Sequence, residues 1–413
     1  MASEWKRMPL GDFVTLQRGL DLPESIRQPG HVPIFGSFGI TGWHDHAKAR
    51  GPGVTVGRSG ASIGVVSYSP TDYWPLNTAL YVIDFHGNDE RFAYYFLQQY
   101  DFKGFNSGSA QPSLNRNFIH PVPVDVPPLS EQRAIAHILG TLDDKIELNR
   151  RMSETLEVMA RALFKSWFVD FDPIRAKAEG RWRRGESLPG LPAHLFDLFP
   201  DSFEDSELGE IPKGWEVGTL GDLSTLNPEV WTRETRPTEL NYVDLSNTKW
   251  GRIDAVIPYQ AAAAPSRAQR VLRPADTIIG TVRPGNGSYA FINENGLTGS
   301  TGFAVLRPRM ATYAEFVYLA ATAADNIDTL AHLADGAAYP SVRPEVVAAT
   351  PIIRSSDGVF NGFSRAASPL LKKITQNERE SRTLATFRDA LLPKLISGEI
   401  RIPDLELSVG AST

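Results

Sequence analysis

The chain repeats itself once, and that repeat limits what it can fold into. Trp5, Leu10, Gly11, Asp12, Thr15 and Leu16 recur 210 positions later as Trp215, Leu220, Gly221, Asp222, Thr225 and Leu226. Gly108, Ala110, Pro112 and Ser113 recur 228 positions later as Gly336, Ala338, Pro340 and Ser341. The same shift of 228 relates Asn149, Ser153, Thr155, Leu156, Ala162 and Leu163 to Asn377, Ser381, Thr383, Leu384, Ala390 and Leu391. A period this long is not that of a solenoid, whose units run about 20–50 residues. A chain built twice on one plan suits a two-headed reader of something with near two-fold symmetry, such as duplex DNA.

Each half has the same order, a strand-rich segment and then a long helix. In the first half, Gly53-Val-Thr-Val-Gly57, Ile63-Gly-Val-Val66 and Ala79-Leu-Tyr-Val-Ile83 read as strands between Gly and Pro punctuation. Phe92, Tyr95, Phe96 and Gln99 at helical spacing predict a helix over about 88–102, echoed at about 313–333 by Phe316 and Tyr318. These aromatics could stack bases, but a stripe facing the core is the favoured reading.

His120-Pro-Val-Pro-Val-Asp-Val-Pro-Pro128 ends the first segment in extended form, and Ser130 is placed to cap the helix that follows. Ile135, Leu142, Asn149, Leu156 and Leu163 step by seven, with Ile138, Met152 and Met159 on companion positions. The second half repeats the seam as Phe363, Leu370, Asn377, Leu384 and Leu391, widened by Ile374, Phe387 and Leu395. This pattern predicts two coiled-coil helices of about 35 residues. Each carries one Asn inside the seam, and the shared offset favours a mutual pairing of Asn149 with Asn377 that fixes register. If a two-fold relates the halves, the helices run antiparallel.

Residues 169–213 are polar and Pro-broken and read as a connector. Its basic patch Arg181-Trp-Arg-Arg184 reads as solvated linker before phosphate contact. The expected fold class is therefore α/β (α+β), two strand-rich domains and an antiparallel coiled coil in a pseudo-two-fold repeat. The expected boundaries are 1–128 for the first strand-rich domain, 129–168 for the first helix and 169–213 for the connector. They continue with 214–354 for the second domain, 355–400 for the second helix and 401–413 for a frayed tail.

Catalytic motifs are missing. Val56-Gly-Arg-Ser-Gly-Ala-Ser-Ile-Gly64 lacks the Lys and spacing of a phosphate-binding loop and the pattern of a dinucleotide fingerprint. No nucleophile elbow has convincing context. His44 and His46 share a strand face but lack a third ligand, so no metal is expected. Asp143-Asp144-Lys145 lies on the long helix, where its carboxylates should be solvated. Zero Cys excludes disulfides and thiolate metal sites and fits a cytoplasmic protein. There is no signal-peptide core, and no apolar run reaches the roughly 18 residues of a membrane span. The formal net charge of −6 means that a DNA reader must cluster its cations or borrow them from a partner.

Two loop pairs carry the candidate DNA contacts. Arg58 and Ser59 sit in the Gly-rich loop, and Gly280-Thr-Val-Arg-Pro-Gly-Asn-Gly287 offers Arg283 and Asn286 in its counterpart. Both loops place an Arg two residues before a Gly. Such an Arg can reach guanine bidentately or touch phosphate, and a plain hairpin turn stands beside that reading. The Pro-Ser loops add Gln111, Asn115 and Arg116 in the first half and Tyr339 and Arg343 in the second. They could read bases, or dock the helix on its domain.

Gly-Ser-Ala-Gln-Pro-Ser-Leu-Asn (108–115), Pro-Pro-Leu-Ser-Glu-Gln-Arg-Ala-Ile-Ala (127–136) and Leu-Asp-Asp-Lys-Ile-Glu-Leu-Asn (142–149), in that order, resemble the specificity (S) subunit of type I restriction-modification enzymes. The resemblance spans nearly the whole chain, including Gly214-Trp-Glu-Val-Gly-Thr-Leu-Gly-Asp222. It departs at 357–368, where the Pro-Leu-Ser-Glu-Gln-Arg string is absent. It implies two target recognition domains, each reading half of a bipartite site in double-stranded DNA, and a helix pair that sets the unread gap. It implies partners: two methyltransferase (M) subunits docked on the helices, and nuclease-translocase (R) subunits joining them. S-adenosylmethionine, ATP and magnesium would belong to those partners, leaving this subunit without cofactor or catalytic residue. The rivals are a helical scaffold without DNA specificity and a stand-alone enzyme, and Asn227-Pro-Glu-Val230 does not supply the methyltransferase motif the latter needs. The offset growth from 210 to 228 puts about 18 extra residues in the second strand-rich domain. Matching rods and differing readers point to an asymmetric target.

Overall fold

The computed structural model describes residues 5–105 and 113–402. The chain divides into two compact units, residues 1–149 with 379–413, and residues 150–378. Two 40-residue helices, Leu129–Phe168 and Asp357–Ile396, each contribute to both units. No helix among the described residues is long and apolar enough to cross a membrane.

The strands described in the first unit are β1 (Lys6–Pro9), β2 (Thr15–Arg18), β3 (Val32–Gly36), β4 (Gly39–His44), β5 (Gly53–Gly57), β6 (Val66–Ser69), β7 (Trp74–Pro75), β8 (Ala79–Asp84) and β9 (Pro123–Val126). An antiparallel sheet runs β2-β8-β5-β6, a second runs β4-β3-β7, and β1 pairs with β9. All five residues of β5 are buried, as expected of a short apolar run at the centre of a sheet. The helix Glu90–Gln98 is capped by the Asp89 carboxylate, which accepts from Phe92 N at 2.8 Å. Its buried Phe92 and Phe96 meet Phe13 edge-on at 6.0 and 5.0 Å, so the aromatic stripe is core. Ile135, Ala136 and Leu139 of the first long helix and Leu392, Leu395 and Ile396 of the second close that core. Each fully buried aliphatic side chain there is worth about 1.5–3 kcal/mol.

The second unit adds β10 (Phe203–Ser206), β11 (Gly209–Pro212), β12 (Glu216–Thr219), β13 (Ser224–Leu226), β14 (Glu239–Val243), β15 (Thr248–Lys249), β16 (Arg252–Ile253), β17 (Ile257–Gln260), β18 (Ala268–Leu272), β19 (Thr277–Gly280), β20 (Tyr289–Phe291), β21 (Leu297–Ser300), β22 (Phe303–Pro308) and β23 (Pro351–Arg354). The repeat is visible strand by strand. Sheet β13-β22-β19-β20 has the order of β2-β8-β5-β6, and Glu216↔Arg354 in β12-β23 repeats Lys6↔Val126 in β1-β9. Sheet β17-β14-β21-β18 repeats β4-β3-β7, parallel pair included, with β18 added at the edge. Together with the β15-β16 hairpin, β18 accounts for most of the extra length of the second half.

The long helices pack antiparallel in each unit. In the first, Asp143 meets Arg388 at 2.8 Å and Asn149 meets Glu380 at 3.0 Å. In the second, Ser153 meets Asn377 at 3.3 Å and the Trp167 and Phe363 rings lie 5.7 Å apart. Positions rise on one helix as they fall on the other.

Several expectations change. The first long helix begins at Leu129, so Ser130 lies inside its first turn instead of capping it. The helix expected over 313–333 is two, Ala314–Ala321 and Ala324–His332. Asn149 and Asn377 are both 1% exposed, but each amide donates to a residue other than the second Asn, and each side-chain oxygen lacks a partner. Met159 and Phe387 fit the seven-residue pattern yet are 51% and 59% exposed. Asp143 and Asp144 are not merely solvated. Tyr95 Oη donates to Asp143 at 2.6 Å, and Arg91 grips Asp144 at 2.7 and 2.9 Å.

The connector is folded. Trp182 is buried, its ring 5.1 Å from Phe196, and its indole N–H donates to Glu186 O at 2.9 Å. Arg181 and Arg184 pair with Glu179 and Asp197, each at 2.5 Å. Arg181 and Arg184 of the basic patch thus have acidic partners within the connector, and its Trp joins the core of the second unit.

Candidate nucleic-acid interface

Each unit brings its Gly-rich loop against its Pro-Ser loop. In the first, Arg58 N–H donates to Thr78 O at 2.9 Å and Leu114 N–H donates to Arg58 O at 2.8 Å. One antiparallel bridge joins Ser59 to Ser113. Gly57 makes the turn possible, because a Cβ there would lie 2.2 Å from Ser37 O and 2.1 Å from Ser62 O. Arg58 is thereby carried to the end of β5, where its Nη1 reaches Asn77 O at 3.4 Å.

The result is an open cleft of about 550 Å³ lined by Gln17, Arg18, Arg58, Leu80, Ser113, Leu114, Asn115 and Arg116. Three guanidinium groups share it, in a chain of net charge −6. Arg116 is exposed, with Nη1 3.4 Å from Leu16 O. Asn115 caps the short helix Arg116–Ile119, its Oδ1 accepting from Asn117 N at 3.0 Å. That use of the oxygen leaves the amide –NH2 as the group that can meet an acceptor. Behind the cleft, His120 Nε2 accepts from Leu16 N at 3.0 Å. Burial first, and the Arg116 charge second, push the His120 imidazole below its usual range. The structure therefore unites Arg58, Ser59, Asn115 and Arg116. Gln111 lies outside the described residues. Arg18 and Gln17 escaped the sequence reading, because an Arg closing a short strand carries no motif.

In the second unit, Thr281 N–H donates to Gly302 O at 2.8 Å and Val342 N–H donates to Thr281 O at 2.9 Å, with a bridge from Val282 to Ser341. The loop pair is the same, but its register corrects the sequence alignment. Thr281, not Arg283, takes the place of Arg58. Arg283 takes the place of Gly60, and both adopt a left-handed backbone, φ +49 and +74. Arg283 Nη2 donates to Ala338 O at 2.7 Å, and its guanidinium lies 4.7 Å from the Tyr339 ring centroid. Tyr339 is 71% exposed, and Asn286 and Arg343 are exposed too. Arg343 precedes the helix Pro344–Ala348 without a capping side-chain bond. One unit offers three arginines around a cleft, and the other an arginine braced on a tyrosine.

His44 and His46 do find a third polar group, Asp45, and the ligand-type atoms lie within 4.8 Å of one another. Both Nδ1 atoms face Asp45 Oδ1, at 3.1 and 2.8 Å. His44 Nδ1 also accepts from Gln28 N at 3.0 Å, so this lone pair already serves the backbone. The cluster ties down the end of β4.

Comparison with known proteins gives one consistent picture. Residues 2–158 match the family described as type I restriction modification DNA specificity domain. The chain is 26% identical over 330 residues to the type I restriction enzyme HindI specificity subunit of Haemophilus influenzae, covering 70% of this chain and 71% of that one. It is 24% identical over 323 residues to the MjaIX specificity subunit of Methanocaldococcus jannaschii, covering 73% and 66%. Its fold matches the crystal structure of a type I restriction-modification system S subunit from M. genitalium with a TM-score of 0.62, at 17% identity, over 95% of this chain and 96% of that one.

Proposed function

Because the chain belongs to the DNA specificity subunits of type I restriction-modification systems, we propose that it reads a bipartite, asymmetric site in double-stranded DNA, one half with each unit. The observation that carries this is the loop pair built twice on one backbone plan with different side chains: Arg18, Arg58, Asn115 and Arg116 in one unit, Arg283, Asn286, Tyr339 and Arg343 in the other. Equal frames with unequal contents fit unequal half-sites. Arginine on a fixed turn suits guanine or phosphate, and the Asn115 amide suits a base acceptor.

The subunit is non-catalytic in this reading. The helix pair acts as the ruler for the unread gap and docks two methyltransferase subunits, through which nuclease-translocase subunits join. S-adenosylmethionine, ATP and magnesium act in those partners, and the complex works on DNA in the cytoplasm. The boundaries proposed from the sequence, 1–128 and 214–354, delimit the two readers.

Methylome sequencing of cells expressing this chain with its methyltransferase partner tests the proposal. The expected result is one modified motif with two different half-sites separated by a fixed gap. A palindromic motif would refute the assignment of different halves to the two units, and no motif at all would favour the scaffold reading.

A further inference from the structure

Beside each arginine loop stands a hairpin tip that holds an aromatic ring out to solvent. In the first unit, Ser37 and Phe38 form the two-residue connection between β3 and β4, and Phe38 is 65% exposed. This tip abuts the arginine turn, since Ser37 O is one of the two carbonyl oxygens that leave no room for a side chain on Gly57. In the second unit the connection from β14 to β17 contains the β15-β16 hairpin, whose two loop residues are Trp250 and Gly251. Trp250 is 62% exposed. Its N–H donates to Gly287 O at 2.7 Å, and Gly287 closes the turn that starts at Arg283. The two tips follow matching parallel-paired strands, and in both the aromatic precedes a glycine, Phe38-Gly39 and Trp250-Gly251.

The second tip is built against local preference. Trp250 and Gly251 both have positive φ, +49 and +85. Asn-Gly is the favoured pair for a two-residue hairpin loop with both residues left-handed. A bulky aromatic there is an outlier, and such strain clusters at ligand contacts. Gly287 makes room for it. A Cβ on Gly287 would fall 2.6 Å from the Trp250 ring, so one face of the indole lies on that glycine. Tyr289 meets the ring edge-on at 6.0 Å. The indole is held in one orientation and still presents most of its area.

We propose that Phe38 and Trp250 are base-contacting residues, one per unit, each inserting or stacking its ring against a base step beside the contacts made by the neighbouring arginine loop. This rests on the DNA reading above and adds a mode of recognition that hydrogen bonds do not supply. A π-face accepts any base and favours steps that unstack easily, so it selects for deformable sequence. An apolar ring on a tip that adjoins an arginine-bearing loop fits a polyanion with aromatic faces better than the apolar centre of a protein interface, where charge is depleted.

The test uses the full chain with its methyltransferase partner and duplexes of the methylome-defined site, with 2-aminopurine placed at successive positions. Wild type should change the probe's fluorescence at one position in each half-site. Phe38→Ala should abolish the change in one half only, and Trp250→Ala in the other, each weakening binding about tenfold. Phe38→Trp and Trp250→Phe should restore the signal, which a merely structural loss would not allow. Site-specific binding by Phe38→Ala and Trp250→Ala with the fluorescence change intact overturns the stacking proposal and leaves the DNA reading standing. Variants that lose methyltransferase association instead would assign the tips to a protein interface and overturn it as well. Failure of the wild-type complex to bind the site specifically overturns both.

Discussion

Arg388, on the second long helix, holds Asp143 of the first at 2.8 Å. Asp143 also accepts from Tyr95 Oη at 2.6 Å, so one carboxylate ties both helices to the strand-rich part of the first unit. Burial, then the hydrogen bond to Asp143, holds the Tyr95 phenol far above its usual range, and the hydroxyl is the donor at any working pH. Asp143→Asn should remove one of the two carboxylate charges that Arg388 faces, Asp389 being the other, and weaken both bonds to residue 143. With side chains 21% and 29% exposed, the expected loss is about 1–3 kcal/mol by urea denaturation. The exposed Arg252–Asp254 pair is the control, and Asp254→Asn should cost under about 1 kcal/mol.

If each unit reads one half-site, Arg58→Ala should weaken the half-site of the first unit and spare the other. Salt titration of binding separates the two roles of an arginine. Loss of a guanine contact relaxes one base position, whereas loss of a phosphate contact lowers affinity on all sequences and reduces the salt slope by about one. Uniform loss without a change in slope would remove Arg58 from the interface.

If the helix pair is the ruler, inserting seven residues at matched positions in both long helices should lengthen the preferred gap and leave both half-sites unchanged. Methylome sequencing reads both quantities at once. Altered half-sites with an unaltered gap would contradict the ruler.

Met159→Ser and Phe387→Ser should leave stability within about 0.5 kcal/mol, because both side chains are more than half exposed. Leu395→Ala, in the same apparent seam but fully buried, should cost about 2–5 kcal/mol. Thermal melts of the three variants test whether exposure or sequence periodicity sets the cost.

His120 supplies a pH dependence. Burial first, and the Arg116 charge second, hold its pKa below the usual value, so the folded state favours the neutral ring. A folded pKa below the unfolded one gives stability that is complete above about pH 6.5 and is lost as pH falls through the folded value. Chemical denaturation between pH 5 and about 7.5 should show this slope, and His120→Asn should flatten it. An unchanged slope in the variant would place the titration elsewhere.

The repeat, the two long helices and the core role of Phe92 and Phe96 were legible in the sequence, because periodicity and Gly-Pro punctuation are local. The two loops stand out separately in the sequence, and their meeting around one cleft came only from the pairing of Ser59 with Ser113. The match of Arg58 with Arg283 was legible but wrong. Counting from glycines ignores which backbone groups pair, and the bond from Val342 to Thr281 sets a different register.

What the sequence determined by itself is the plan: two strand-rich segments, two matched helices, and extra length in the second segment. Only the tertiary structure decided which side chains share a surface. Arg18 joins Arg58 and Arg116 because β2 ends beside the Pro-Ser loop, about a hundred residues away in sequence. Phe38 and Trp250 stand out only once their exposure and their neighbours are known. Burial and proximity are sums over contacts distant in the chain, and no local pattern encodes them.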